Sequence, residues 1–382
     1  MISRDDFDAY NRAVEAIAAE AEEAVAGSVL EWCRGHPDAT VAECRDYAIR
    51  CMDGMVQAYD EAAATLAARW YDGVAEDGGT NLRPAVTSVT YSGKLVADTA
   101  KYQARKLAAG DVEGFAASCG ELARNDALKS VNQTVIANCG RDRREGVRFA
   151  RVPTGFETCT FCLMLASRGA VYYTRESAGE FSHYHRRCDC KVVPGFADDP
   201  MAELVDGASP AEFKRQWLAV REIESRSGLS PFERRLLKNK AVGKKGSVAA
   251  EPCASPLPKE RRVMEWLSAY GLDICFRETR SSEGKRTSDL LLDGVPWEIK
   301  QPVGNGKQTI YHQFEEASGQ SPRLILDLSE LSRGGRWNWE TVEAAARKYL
   351  RWHFKDADGE TVEFESCLLI DEEKIKHIKK GS

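Results

Sequence analysis

The 382-residue chain has little of what would place it in a membrane or a disulfide scaffold. It contains no apolar run of about 20 residues, so no segment predicts a transmembrane helix, and no membrane partner is expected. No charged-then-apolar leader opens it, and the expectation is a protein made in a reducing cytoplasm. Its 12 cysteines are too sparse for a disulfide-knit fold, which leaves metal ligation or packing as the uses of its thiols. An excess of positive charge is also missing. Lys and Arg number 53 against 59 Asp and Glu, a formal charge of −6, which argues against a protein that coats nucleic acid. A nuclease is compatible with that balance, because metal ions and a local basic patch can neutralise phosphates. No internal repeat is present, and length alone predicts two or three domains.

What the chain does have begins with helices. Asp6 to Cys33 is rich in Ala and Glu with apolar residues at helical intervals, and Ala39 to Val74 repeats the pattern. Tyr47, Met52, Met55, Ala58 and Leu66 offer a core face there. Residues 94–138 predict further helix, as do Ala211 to Ser225 and Pro231 to Lys240. The segment from Val242 to Pro258 is Gly-, Ser-, Ala- and Pro-rich without apolar periodicity and predicts a flexible linker. The expected division is 1–80 helical, 81–200 a module with a Cys/His cluster, 201–257 helix plus linker, and 258–382 a C-terminal domain.

The densest signal lies in Thr287-Ser-Asp-Leu-Leu-Leu-Asp-Gly-Val-Pro-Trp-Glu-Ile-Lys300. Asp293-Gly294, flanked by apolar residues, predicts a two-residue type I′ turn. Counting outward pairs Leu292 with Val295, Leu290 with Trp297 and Asp289 with Glu298. Alternation then puts Leu290, Leu292, Val295, Trp297 and Ile299 on a buried face, and Asp289, Glu298 and Lys300 on the other. Two carboxylates directly opposite each other repel. A divalent cation between them turns the repulsion into a binding site, and oxygen ligands suit Mg²⁺ or Mn²⁺. Lys300, one pleat along, is placed to hold a nucleophile or steady charge on a phosphate. A solvated hairpin face with incidental charges is the alternative.

Around the hairpin, Lys259 to Tyr270 predicts a helix closed by Gly271, and Leu272 to Phe276 a short strand. Gln308 to Gly319 predicts an amphipathic helix, and Arg323 to Ser329 a buried parallel strand. Trp339 to Phe354 predicts a helix and Phe364 to Ile370 a strand. The basic ending Lys374 to Lys380 reads as a solvated tail that could touch nucleic acid.

With helix, three strands, helix and strand in that order, and with Ser288-Asp289 and Glu298-Ile-Lys300, residues 251–382 resemble the PD-(D/E)xK nuclease superfamily. They look most like the tRNA-cleaving toxin domains at the C-termini of bacterial contact-dependent inhibition proteins. The run Lys307-Gln-Thr-Ile-Tyr-His-Gln313 and the strand carrying Asp327 share that resemblance. It implies an α/β domain with an αβββαβ core and a metal-dependent endonuclease. Asp289 and Glu298 would bind Mg²⁺ or Mn²⁺, Lys300 would serve the nucleophile, and Glu260 would be a further acidic ligand. Glu265 is the competing candidate for that last place. The chain departs from the superfamily in having Thr-Ser-Asp where a proline precedes the aspartate.

A second cluster comprises Cys159-Thr-Phe-Cys162 and His185-Arg-Arg-Cys188-Asp-Cys190, the spacing of a structural Zn²⁺ site. Five candidates compete for four ligand positions, with His183 a sixth. A disulfide pair or buried thiols are the alternatives. With Val152-Pro-Thr-Gly-Phe-Glu and Leu163-Met-Leu-Ala-Ser-Arg-Gly-Ala170 between, residues 80–200 resemble phage minor head proteins of the Mu F type. That resemblance implies a place at the portal vertex of the virion head, with portal and head proteins as partners. Joined, the two resemblances imply a virion protein delivered to the bacterial cytoplasm with a C-terminal tRNA nuclease toxin and a cognate immunity protein. A DNA-processing nuclease, or a structural head protein with an inactive nuclease fold, are the alternatives.

Overall fold

Side-chain caps set the starts of the long helices. Helix α1 (Arg4–Gly35) begins where Ser3 accepts a bond from the Asp6 amide, and α2 (Val41–Asp77) opens with a reciprocal Thr40 and Glu43 capping box. The expected single helical region 94–138 is two helices, α3 (Gly93–Ala108) and α4 (Val112–Arg141). Gly110, at φ 79°, ends one and Asp111 caps the other, so Gly-Asp is a stop followed at once by a start. In this computed structural model the described residues are 1–382 apart from 155–158, 175–176, 179–189, 197, 279–286, 332–334, 357 and 382. They form two units, Met1–Leu218 and Ala219–Ser382.

In the first unit α1, α2 and α4 share two cores, one around Val14, Ala67, Tyr71 and Val135, the other around Val25, Met52, Val56 and Cys119. Small residues let the helices close up. A Cβ on Gly120 of α4 would meet the Glu22 carbonyl of α1 at 2.4 Å. The buried stripe of α2 is Cys44, Ala48, Met52, Val56, Asp60, Ala63, Ala67 and Tyr71. Of the expected face Met52 is fully buried, Met55 and Leu66 are half-buried against the two cores, Tyr47 is half-buried and Ala58 is exposed. Small side chains such as Ala48, Ala63 and Ala67 share that stripe with the large Met52 and Tyr71. Strands β1 (Arg148–Val152) and β2 (Lys191–Gly195) pair antiparallel beside α5 (Thr160–Ala166). Helix α6 (Pro210–Ser225) contains the boundary between the units.

The second unit starts earlier than composition suggests. Helix α7 (Pro231–Ala241) puts Leu236 into the same core as Val263, Leu267, Leu290 and Ile299. The expected linker contributes β3 (Val248–Ala250), parallel to β4 (Ile274–Phe276). All three β3 side chains are exposed, so nothing in their hydropathy marks a strand held by backbone bonds alone. Helix α8 (Pro258–Ala269) precedes β4, then come β5 (Leu290–Leu292), β6 (Val295–Lys300), α9 (Thr309–Ala317) and β7 (Arg323–Asp327). Helix, three strands, helix and strand thus follow in the expected order. Helix α10 (Trp339–Tyr349) ends short of Phe354, which sits in β8 (His353–Lys355) paired with β9 (Thr361–Glu363).

The last residues are no solvated tail. β11 (Ile375–Lys379) is the edge strand on β10 (Ser366–Ile370), with Ile375 and Ile378 buried. The seven-stranded sheet runs β11-β10-β7-β6-β5-β4-β3, and β10, β7 and β6 are mutually parallel. Every side chain of β10 is buried, as in a strand covered on both faces.

Candidate functional site

The hairpin forms in the register its turn dictates. Asp293 and Gly294 have φ of 49° and 78°, both in the left-handed region, and Leu292 pairs with Val295 and Leu290 with Trp297. Asp293 is held by Arg235 and by the Asp273 amide. Leu290, Leu292, Trp297 and Ile299 are buried as the alternation predicts, but Val295 is 37% exposed because it stands at the turn.

On the other face, β6 carries Glu298 and Lys300. Glu298 is 1% exposed. Its Oε1 accepts from Lys300 Nζ at 2.6 Å, and its Oε2 is buried with no hydrogen-bond partner among the described residues. Burial, then the charge of Asp289, pushes the Glu298 carboxyl up to about 7, with Lys300 opposing. Asp289 lies one residue before β5, and its Oδ2 accepts the Ile299 amide at 2.9 Å, which ties it across the hairpin beside Glu298. Lys300 Nζ also donates to Gln320 Oε1 at 3.1 Å, just past α9.

Glu260 is in the first turn of α8, where its Oε2 accepts the Leu257 amide at 2.6 Å. Leu257 has no side-chain acceptor, so Glu260 caps its own helix. Burial, followed by the charge of Asp289, raises its pKa, so this carboxyl sits in the electrostatic field of the site. Its orientation toward the helix end keeps it from converging with the other two. Among the described residues no three His, Cys, Asp or Glu side chains meet as a group able to hold a metal ion. Glu265, the competing candidate, is exposed on α8.

The residues fit a divalent cation through the Asp289 and Glu298 pair. A buried carboxylate oxygen without a donor, facing a second carboxylate, is a costly arrangement that a cation would satisfy. Two opposed carboxylates and one amine, on a strand at the middle of a sheet, can support phosphodiester hydrolysis.

Sequence reasoning missed three polar residues, Gln301, Arg262 and Gln320, and gave Asp327 no role. Asp327, at the end of β7, is fully buried and accepts from Gln301 Nε2 at 2.9 Å and Arg262 at 3.1 Å on one oxygen, and from the Ser329 amide at 2.9 Å on the other. Gln301 follows the Glu-x-Lys directly, and only that adjacency signals it. Arg262 and Gln320 carry no mark in the sequence.

Of the cysteine cluster, Cys159 caps α5, its Sγ accepting from the Cys162 amide at 3.3 Å. The Cys162 and Cys190 sulfurs lie 3.1 Å apart, and Arg151 donates to Cys190 Sγ at 2.5 Å. His183, His185 and Cys188 fall outside the described residues. Cys159, Cys162 and Cys190 do not by themselves gather as a group able to hold a metal, and the Cys190 sulfur is engaged by Arg151. Of the cysteines taken as core, Cys33, Cys44, Cys119, Cys139 and Cys367 are buried, whereas Cys253 is exposed. No helix among the described residues is long and apolar enough to cross a membrane.

Residues 1–220 match the family described as VG15 protein, and residues 285–362 match the contact-dependent growth inhibition CdiA C-terminal domain. Gene 15 protein of Mycobacterium phage D29 is 34% identical over 76 residues, which cover 13% of this chain and 28% of that protein. The chain therefore spans little more than a quarter of that relative's length. A solved structure, the CdiA-CT/CdiI toxin and immunity complex from Burkholderia pseudomallei, is 16% identical. It covers 34% of this chain and 98% of that chain with a TM-score of 0.25.

Proposed function

We propose that this chain, which belongs to the VG15 protein family, is a phage virion protein whose second unit is a metal-dependent ribonuclease toxin acting on tRNA. The observation that carries the nuclease reading is Glu298: buried, with one carboxylate oxygen lacking a donor and Asp289 beside it. The likeness of residues 285–362 to a CdiA C-terminal domain supports a toxin role, and the kinship of residues 1–220 supports a phage setting. RNA over DNA rests on the resemblance to tRNA-cleaving toxins. A place at the head vertex, with portal and head proteins as partners, rests on the Mu F-type resemblance of residues 80–200.

Asp289 and Glu298 would hold Mg²⁺ or Mn²⁺, with Glu260 available once it leaves its helix cap. The bound cation supplies charge neutralisation and Lewis-acid polarisation at a phosphate. Lys300 starts as the partner of Glu298 and Gln320. With the Glu298 charge compensated, its ammonium is able to donate to a phosphate oxygen and stabilise charge that builds up there. Asp289, fixed by the Ile299 amide, keeps its other oxygen for binding. In the first unit Cys159, Cys162 and Cys188, with either His185 or Cys190, would hold Zn²⁺ as a structural brace. A toxin made inside a bacterium needs a cognate immunity protein there.

The test uses the full chain, wild type and Asp289→Ala, with total tRNA and with plasmid DNA, in Mg²⁺ or EDTA. Mg²⁺-dependent tRNA cleavage that disappears in the variant and in EDTA is the expected result. Cleavage of DNA alone moves the site to genome processing. Undiminished cleavage in the Asp289→Ala and Glu298→Ala double variant sinks the site assignment.

A further inference from the structure

Charge at the candidate centre does not balance for a nucleic acid. Asp289 and Glu298, with Glu260 close enough for its charge to be felt, are offset by Lys300 and one divalent cation, so little positive charge is left for the strand that must lie against them. A cation that borders β6 at the C-terminal end of β7 is Arg262, held on Asp327. From this we infer that Arg262 is a substrate contact, receiving a backbone phosphate of the RNA strand next to the one that is cleaved. The inference rests on the nuclease reading above.

Continuity of contacts places it there. Lys300 pairs with Leu326 across β6 and β7, so the residues that follow, Gln301 and Asp327, sit together, and Gln301 Nε2 donates to Asp327 Oδ2. Arg262 donates to that same oxygen at 3.1 Å and to Ser329 Oγ at 2.9 Å. Gln301, Asp327 and Arg262 are thus joined by hydrogen bonds, and Gln301 follows Lys300 directly along the backbone.

The mounting of Arg262 suits recognition better than stabilisation. Asp327 already has the Ser329 amide and Gln301 as donors. Arg262 adds to a carboxylate that is largely satisfied, while 37% of its side chain stays exposed. The guanidinium is held through Nη2 alone, which donates to both Asp327 and Ser329, while Nε is buried and Cζ lies 5.5 Å from the centre of the Trp266 ring. Its Nη1 pairs more loosely with the Glu330 carboxylate, which is 4.0 Å away and 56% exposed. A guanidinium oriented through one nitrogen keeps Nη1 to donate to a phosphate oxygen. Glu330, exposed on its turn, is free to move aside.

The experiment measures steady-state cleavage of total tRNA by the full chain with Mg²⁺ for wild type, Arg262→Gln and Arg262→Lys. Alongside it, binding of total tRNA is measured over a salt series on a Glu298→Gln background, with and without Arg262→Gln. The expected result is a KM raised about tenfold by Arg262→Gln with kcat within about twofold, a partial return in Arg262→Lys, and a salt slope of log K smaller by about one. An unchanged KM and salt slope overturn the inference, as does a fall in kcat at constant KM. If Arg262→Gln fails to fold, Arg262→Lys decides: an intermediate KM supports the contact and a wild-type KM overturns it. Should wild type cleave nothing, the nuclease reading fails, while the salt slope of binding still reads the Arg262 contact independently.

Discussion

Glu298 shows how much one buried carboxyl can report. Its ordinary value of 4.5 is moved to about 7 by burial and by Asp289. Between those values the folded chain keeps a proton that the unfolded chain has released, so stability falls as pH rises across that interval and stays lower above it. The displacement corresponds to as much as about 3 kcal/mol. In EDTA, thermal unfolding from pH 4.5 to 8 should show the second unit losing stability over that window, and Glu298→Gln should flatten the dependence. Glu260, shifted in the same direction, leaves a smaller residue of it. Added Mg²⁺ at pH 8 should restore stability, by about 2.7 kcal/mol at a hundredfold excess over its Kd. A wild-type midpoint at pH 8 indifferent to Mg²⁺ would argue against a cation at Asp289 and Glu298. The alternating pattern exposed Asp289, Glu298 and Lys300 in the sequence itself, whereas Gln320, Asp327 and Arg262 join them only through folding.

At the scale of elements, the hairpin turn aligns the two carboxylates. Gly294, at φ 78°, occupies a backbone region that costs any other L-residue. Gly294→Ala should lower stability by about 1 kcal/mol in urea titration with activity largely kept, since Asp293 and the cross-strand pairs still fix the register. A loss of several kcal/mol would mean that the hairpin slips instead of straining. The edge strand β11 makes a stronger claim. It covers β10, whose five side chains are all buried, and its Ile378 is 1% exposed. Ending the chain at 373 should abolish cooperative unfolding of the second unit, measured by circular dichroism. β11 escaped sequence reasoning because Lys-Ile-Lys-His-Ile-Lys carries too many charges to read as a strand. Its lysines tolerate the sheet edge, where a charged strand also resists pairing with another molecule.

Across the whole molecule, the boundary at Leu218 alters what a working fragment must contain. A fragment beginning at 251 omits α7 and β3. It would lose the fully buried Leu236 and the Glu233 carboxylate, which receives the His377 amide at 3.1 Å and Lys376 at 3.2 Å. Residues 219–382 should therefore be more stable than residues 251–382 by several kcal/mol in urea titration. Equal midpoints for the two fragments would show α7 to be dispensable. The overall charge of −6 is also uninformative about the site, because what a nucleic acid meets is the local balance among Glu260, Asp289, Glu298, Lys300 and Arg262.

What the sequence determined by itself was everything governed by neighbours along the chain. Capping residues placed the long helices, Asp293-Gly294 set the hairpin, and period-two alternation put Glu298 and Lys300 on one face. Such features depend on backbone dihedrals and local hydrogen bonds, which a few adjacent residues control. Only the tertiary structure decided that Glu260 is buried in the field of Asp289, that Asp327 gathers Arg262 and Gln301, and that exposed β3 and charged β11 complete the sheet. Those outcomes depend on which groups burial leaves without water. That is a property of the packed chain, because a buried carboxylate must find donors wherever the fold has brought them.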